Sequence, residues 1–282
     1  MSDTLNRIEP GEGAETKAQT ARHFPAILGR FDDPADRETI DGLVQWVEAH
    51  YRDELRRRPS MHVYVRTLPE SVTERIERLR DGPRVRTLIE SRVPAGSEIV
   101  PMKHTDELYL SHYNKDRGGD QGLFDKHYDG NLRFLSGSMV VRALIYLQSD
   151  ASYKVVFHDS GIEKAFATYE FGLLDFHREL HWVEGRYDPA DRQRILLKCN
   201  YLVSPRGAPV LRQVALAANT GVFYVVKAAM EYSKSPRTLP QVAVGHLCNI
   251  VRRLNNIHPL VPLGLAAAAA VALVMAVATL LA

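Results

Sequence analysis

The chain has 282 residues, 45% apolar and 25% charged, a composition that sustains a folded core and excludes a disordered or fibrous protein. Lys and Arg number 36 against 34 Asp and Glu, and a formal net charge of +2 supplies no basic field, so no nucleic-acid partner is expected. Two cysteines, Cys199 and Cys248, lie far apart without CxxC or Cys/His zinc spacing, which argues against a disulfide scaffold and leaves eleven histidines as the stock of metal ligands.

The opening stretch MSDTLNRIEPGEGAETKAQTARH is polar, mixes acids with bases and lacks the layout of a secretory signal or a transit peptide, so residues 1–35 read as a flexible lead-in. Within 37–56, Ile40, Leu43, Val44, Val47 and Tyr51 fall on one helical stripe. A short extended run, Met61 to Val65, precedes a helix carrying Val72, Ile76 and Leu79, for which Thr67 or Ser71 offers a cap and Asp81-Gly82-Pro83 a stop. From about residue 98 the texture changes to short apolar or alternating runs broken by Gly, Asp, Asn and Ser, the mark of antiparallel β structure, with strands expected at 107–113, 139–147, 153–158, 165–175 and 194–203. The last alternates cleanly: Ile195, Leu197, Cys199, Tyr201 and Val203 share one face, and Arg194, Leu196, Lys198 and Asn200 share the other.

Beyond Pro205 the pattern returns to helix, at Val210 to Glu231 and Leu239 to Leu254. From Pro259 to Ala282 there are 24 residues without a charge, ten of them Leu or Val and nine Ala. About 20 helical residues cross a hydrocarbon core. The ten Leu and Val contribute on the order of −5 kcal/mol to insertion. Residues 259–282 therefore read as a single-pass C-terminal tail anchor, with Arg252 and Arg253 placing the folded part on the cytosolic side and an alanine-rich buried helix as the rival reading.

In Leu123-Phe124-Asp125-Lys126-His127-Tyr128-Asp129-Gly130-Asn131 a histidine and a carboxylate are separated by one residue, which on an extended segment turns both to one face. Such a pair occupies two adjacent positions on a divalent metal, and one further imidazole completes a face of two histidines and one carboxylate with the opposite positions open. Some 52 residues after Asp129 comes His181, in Leu173-Leu174-Asp175-Phe176-His177-Arg178-Glu179-Leu180-His181-Trp182-Val183, and thirteen residues after His181 comes Arg194.

This order resembles that of the iron(II)- and 2-oxoglutarate-dependent dioxygenases, in their prolyl-hydroxylase-like and phytanoyl-hydroxylase-like branches, over roughly residues 60 to 203. Arg142-Ala143-Leu144-Ile145-Tyr146-Leu147 is similar to the family's strand after the His-x-Asp loop, and Val155-Val156-Phe157 to the strand that follows. The segment Gly172 to Val183 resembles the turn leading to the distal histidine. Arg194 to Leu202 resembles the strand whose first basic residue holds the co-substrate.

The resemblance implies an α+β fold with a double-stranded β-helix (jelly roll) core, assigned to 36–205 with its flanking helices; the helical extension at 206–258 and the transmembrane segment at 259–282 come from the apolar pattern instead. It implies His127, Asp129 and His181 as iron ligands, Arg194 as the clamp for 2-oxoglutarate and Tyr113 as a further co-substrate contact. Fe(II), 2-oxoglutarate and O2 are the implied cofactors and co-substrates, with ascorbate as an optional reductant.

Three departures bear on the pocket and the clamp: Ala151-Ser152-Tyr153-Lys154 stands where the family often has a Gly-Gly-Glu-Thr-like turn, Asn114 to Gln121 is inserted, and the loop Arg186 to Arg192 is long. His177 competes with His181, and Arg192 with Arg194.

The expected activity is hydroxylation of an unactivated C–H bond in a small-molecule, lipid or protein substrate, the membrane tail favouring a lipid-like or membrane-associated one. A protein-residue hydroxylase, a non-catalytic tethered jelly-roll module and a zinc hydrolase are the alternatives; the last has no HExxH-like helix to support it.

Overall fold

The computed structural model describes residues 23–57, 60–112, 125–130, 132, 137–185, 193–233 and 238–257. In chain order the elements are β1 (Ile27–Arg30), α1 (Pro34–Arg57), β2 (Ser60–Tyr64), α2 (Glu70–Asp81), α3 (Pro83–Glu90), β3 (Ser97–Pro101), β4 (Glu107–His112), β5 (Met139–Gln148), β6 (Asp150–Phe157), β7 (Ile162–Ala167), β8 (Glu170–Asp175), β9 (His181–Gly185), β10 (Gln193–Pro205), α4 (Pro209–Ser233) and α5 (Leu239–Ile257).

Among the described residues the strands form two antiparallel sheets, the layering of a jelly roll. The larger runs β1-β8-β5-β10-β4-β2, with β3 also on β10, and the smaller runs β7-β6-β9. β10 is the spine of the larger sheet: it pairs with β5 from Ile195 to Val203, with β4 over its first half and with β3 over its second.

The two faces of β10 do different work, as its alternation implies. Ile195, Leu197, Cys199, Tyr201 and Val203 pack with Ile40, Leu43 and Val47 of α1 and with Ile76 and Leu79 of α2. Each such side chain, fully removed from water, contributes about 1.5–3 kcal/mol. The opposite face turns inward: Leu196 joins Tyr109, Leu144 and Tyr146 against Phe157, Phe166 and Val183 of the smaller sheet. Further along the same inner face, Val140 and Leu202 are covered by Ala215 of α4 instead. The helix after the sheet thus shares the inner core.

Several expectations change in detail. The run 165–175 is two strands, because the chain turns at Thr168-Tyr169, where Tyr169 takes a φ of 70°. That conformation is held by its N–H donating to Tyr146 O (3.0 Å), by its carbonyl accepting from Phe31 N (2.8 Å) and by its hydroxyl donating to Asp41 (2.7 Å). Asp81-Gly82-Pro83 does end α2, but Pro83 then opens α3, a position where its missing N–H costs nothing. Neither Thr67 nor Ser71 caps α2: Pro69 stands at the cap, and the Thr67 hydroxyl donates to Tyr64 O at 2.8 Å. β1 lies inside the stretch read as a lead-in, with Phe24 and Phe31 buried on either side of it.

No helix among the described residues is long and apolar enough to cross a membrane. This overturns the expectation of a membrane-anchored protein with a cytosol-facing domain. That expectation rested on the summed hydropathy of 259–282, a segment outside the described residues.

Candidate metal centre

His181 opens β9, and its position is set by pairing with Phe157 of β6. His127 is clipped onto it as a single antiparallel bridge, each backbone N–H donating to the other's carbonyl at 3.0 Å. The loop that follows is pinned twice more: Gly130 N donates to Phe176 O at 2.8 Å and Leu132 N to His177 Nδ1 at 3.2 Å. The fit around Gly130 excludes any side chain, since a Cβ there would fall 1.9 Å from His177 Nδ1. Backbone hydrogen bonds therefore bring 127 and 129 to the distal histidine across more than fifty residues of chain.

The result is one cluster, in which a potential ligand atom from each of His127, Asp129 and His181 lies within 4.8 Å of the others. His127 Nε2 is 3.5 Å from Asp129 Oδ1, and His181 Nε2 is 3.7 Å from Asp129 Oδ2. The imidazoles tilt against each other with centroids 4.5 Å apart. His127 Nδ1 donates to Asp125 O at 2.8 Å and His181 Nδ1 to Glu179 O at 3.0 Å. Those two bonds fix the tautomer: the proton sits on Nδ1 and the Nε2 lone pair faces the cluster, which is how imidazoles are oriented for a metal. Burial pushes the His181 imidazole down to about 4, keeping it neutral at ordinary pH. The donor set and its orientation fit a divalent first-row metal ion.

Burial also works against the Asp129 anion, but the Arg142 guanidinium beside it outweighs burial and holds the carboxyl well below the usual range. Arg142 Nη1 donates to Asp129 Oδ2 at 2.6 Å, its Nε donates to Asn200 Oδ1 at 2.9 Å, and its guanidinium lies 4.2 Å above the Phe176 ring. Asn200 is itself held, its Nδ2 donating to Thr105 Oγ1 at 2.9 Å and its backbone N–H to Asp106 Oδ1 at 3.2 Å. The sequence shows Arg142 only as part of a strand; the inward parity it shares with Leu144 and Tyr146 was the available signal.

His177, the rival to His181, has both ring nitrogens engaged. Nδ1 accepts from Leu132 N, so Nε2 carries the proton and donates to Asn219 Oδ1 of α4 at 2.6 Å. It is a clasp between the His-x-Asp loop and α4 and offers no lone pair to the cluster.

Burial drives the His177 imidazole to about 4 from an ordinary value of 6.5, so between those values the unfolded chain binds the extra proton and this histidine's contribution is lost as pH falls. His177→Leu is expected to cost about 2–4 kcal/mol at pH 7 through the buried groups it strands. The difference from the parent should shrink by pH 5, as read by urea unfolding at both values; a constant difference would mean that His177 titrates normally.

Arg194 lies at the start of β10 on its inner face and is buried. Its Nε donates to Ser111 Oγ at 3.2 Å, and its guanidinium is 5.6 and 5.9 Å from the centroids of Tyr109 and Tyr153. Tyr113 and Arg192 lie outside the described residues.

A further inward polar residue of this strand, Lys198, belongs to a group that sequence reasoning left unassigned. Glu107 accepts from Lys227 of α4 at 3.0 and 3.2 Å, and lies 3.2 Å from His62 and 3.5 Å from Lys198. Burial lowers the Lys198 amine to about 8 despite Glu107.

No family model matches the chain, and no curated protein matches it either. Solved structures do. The non-heme alpha-ketoglutarate-dependent epimerase SnoN from nogalamycin biosynthesis aligns over 70% of this chain and 87% of its own, at 15% identity and a TM-score of 0.44. The collagen prolyl hydroxylase of Paramecium Bursaria Chlorella virus-1 aligns over 72% and 98%, at 9% identity and 0.42. A Pseudomonas putida prolyl-4-hydroxylase aligns over 65% and 95%, at 15% identity and 0.40. Likeness at this level carries no argument about chemistry, which rests on the side chains of the centre.

Proposed function

We propose that the chain is an iron(II)- and 2-oxoglutarate-dependent oxygenase that hydroxylates an unactivated C–H bond. The observation that carries this reading is the convergence of His127, Asp129 and His181, each imidazole locked through Nδ1 with Nε2 facing the shared carboxylate. An iron(II) ion held there would supply the coupling of 2-oxoglutarate and O2, giving succinate and CO2, to conversion of C–H into C–OH.

The chain's own part is orientation and dryness. Arg194 is proposed to take the far carboxylate of 2-oxoglutarate, a fork-to-carboxylate contact for which a buried guanidinium, held by Ser111 and flanked by Tyr109 and Tyr153, is suited. The inner walls around it, Leu144, Tyr146, Phe157 and Leu196, are apolar and exclude bulk water.

The test is anaerobic loading with Fe(II) and 2-oxoglutarate. The expected result is one Fe(II) per chain and the weak visible charge-transfer band of a chelated keto acid, followed by succinate release on admitting oxygen. Tight zinc binding without that band would replace this reading with a hydrolase.

Arg194→Ala is expected to raise the dissociation constant for 2-oxoglutarate about 10–100-fold on the Mn(II)-loaded protein, with metal affinity retained. If Arg192→Ala has that effect and Arg194→Ala does not, the clamp is Arg192.

A further inference from the structure

Arg142 is engaged at the centre from three directions. It touches one oxygen of Asp129, and it keeps its place without Asp129, because Asn200 and the Phe176 ring hold the guanidinium from two other directions. Asn200 is in turn fixed by Thr105 and Asp106. The Arg142 side chain is 4% exposed.

We infer that Arg142 is a positioning residue for Asp129, reserving Oδ2 so that the carboxylate engages a divalent ion through one oxygen and a coordination position stays open beside it. This rests on the metal-centre reading proposed above and adds to it the denticity of the carboxylate and the residue that sets it.

Two imidazoles and one carboxylate oxygen occupy half of an octahedron. A keto acid held through two atoms and one further small molecule fill the rest. Were Asp129 to turn both oxygens to the ion, only two positions would remain for the keto acid and the further small molecule would be shut out. A carboxylate alone can slide between the two modes; a charge-assisted hydrogen bond of 2.6 Å on Oδ2 opposes the slide. Methionine at 142 would fill the space without donating. Glutamine would donate without charge, and lysine would keep the charge with a single donor group in place of the fork.

The experiment uses the full chain loaded with Mn(II). Two readings are taken: exchangeable waters on the ion, counted by pulsed EPR in oxygen-17 water, and affinity for 2-oxoglutarate per bound Mn(II), by calorimetry. Arg142→Met and Arg142→Gln are expected to load one Mn(II) but to show one water fewer than the parent, with 2-oxoglutarate affinity lower about tenfold or more. Arg142→Lys should restore the missing water.

A parental water count and affinity in either neutral variant that loads the metal overturns the assignment, and the metal centre itself stands. A parent chain that binds no Mn(II) removes the centre instead. A purely structural role for Arg142 would lower the loaded fraction without changing the water count of the ions that do bind, and that result also overturns the inference.

Discussion

Asp129→Ala is expected to reduce divalent-metal affinity on the order of a thousandfold, the equivalent of roughly 4 kcal/mol, and to abolish succinate formation. Two losses combine. The centre loses its one anionic donor, and Arg142, whose guanidinium is 2.6 Å from that donor and nearly sealed from solvent, is left as an unpaired cation next to two imidazoles. Its charge then repels any incoming metal. The two losses separate in the double variant Asp129→Ala/Arg142→Met, which should regain part of the metal affinity although no ligand has been restored. His181→Ala should match the single variant in succinate formation. Calorimetry with Mn(II) and succinate release read the outcome, and an Asp129→Ala protein that still binds metal at parental affinity would remove this carboxylate from the centre.

The second large effect is on stability. Arg80 is buried, with Nη1 donating to the fully buried Asp106 at 2.9 Å, Nη2 and Nε donating to Asp81 at 2.7 and 3.0 Å, and its carbonyl accepting from the Tyr201 hydroxyl at 2.7 Å. Arg80→Met removes the cation and strands Asp106, which should cost about 3–5 kcal/mol in urea unfolding. Much of the cost comes from the stranded Asp106 carboxyl, which burial already pushes up to about 7 with Arg80 in place and which gives up its charge without it, so Arg80→Met/Asp106→Leu should recover a good part of it. Asp106 also receives the backbone N–H of Asn200, the residue that steadies Arg142, so Arg80→Met should loosen metal binding as well. A loss below about 1 kcal/mol would mean that the pair behaves as a solvated surface bridge.

What the sequence made legible follows from which interactions are local. β10 can be read because a strand with one apolar and one polar face alternates with a period of two, and its polar members Arg194, Lys198 and Asn200 do meet polar partners. α1 can be read because Ile40, Leu43 and Val47 repeat at helical spacing. The pairing of His127 with Asp129 can be read because a histidine and an aspartate two apart on extended backbone share a face, whereas His181 enters only through the family resemblance.

Other features depend on contacts that spacing does not encode. The turn at Tyr169 has neither glycine nor asparagine at its positive-φ position and is stabilised by Phe31, Asp41 and Tyr146 from distant elements. The exclusion of His177 from the centre is visible only once Asn219 of α4 is seen to accept from it. The ion-pair group of Glu107, Lys198, Lys227 and His62 draws one member from each of four elements and has no pattern along the chain. The membrane assignment came from summed hydropathy alone, a property with no information about partners.

β10, the last strand among the described residues, lies in the middle of the larger sheet, between β4 and β5. During synthesis His127, Asp129 and Arg142 leave the ribosome well before the strand that bears Asn200 and the helix that bears Asn219. Until that strand arrives, β4 and β5 have no common neighbour, and the long-range closure that must precede every later contact is an entropic debt still outstanding. Its insertion zips both flanks together and delivers Asn200, with Asn219 following on α4, so the contacts that steady Arg142 and His177 around the candidate centre arrive last, after the His127–His181 bridge has all of its own chain.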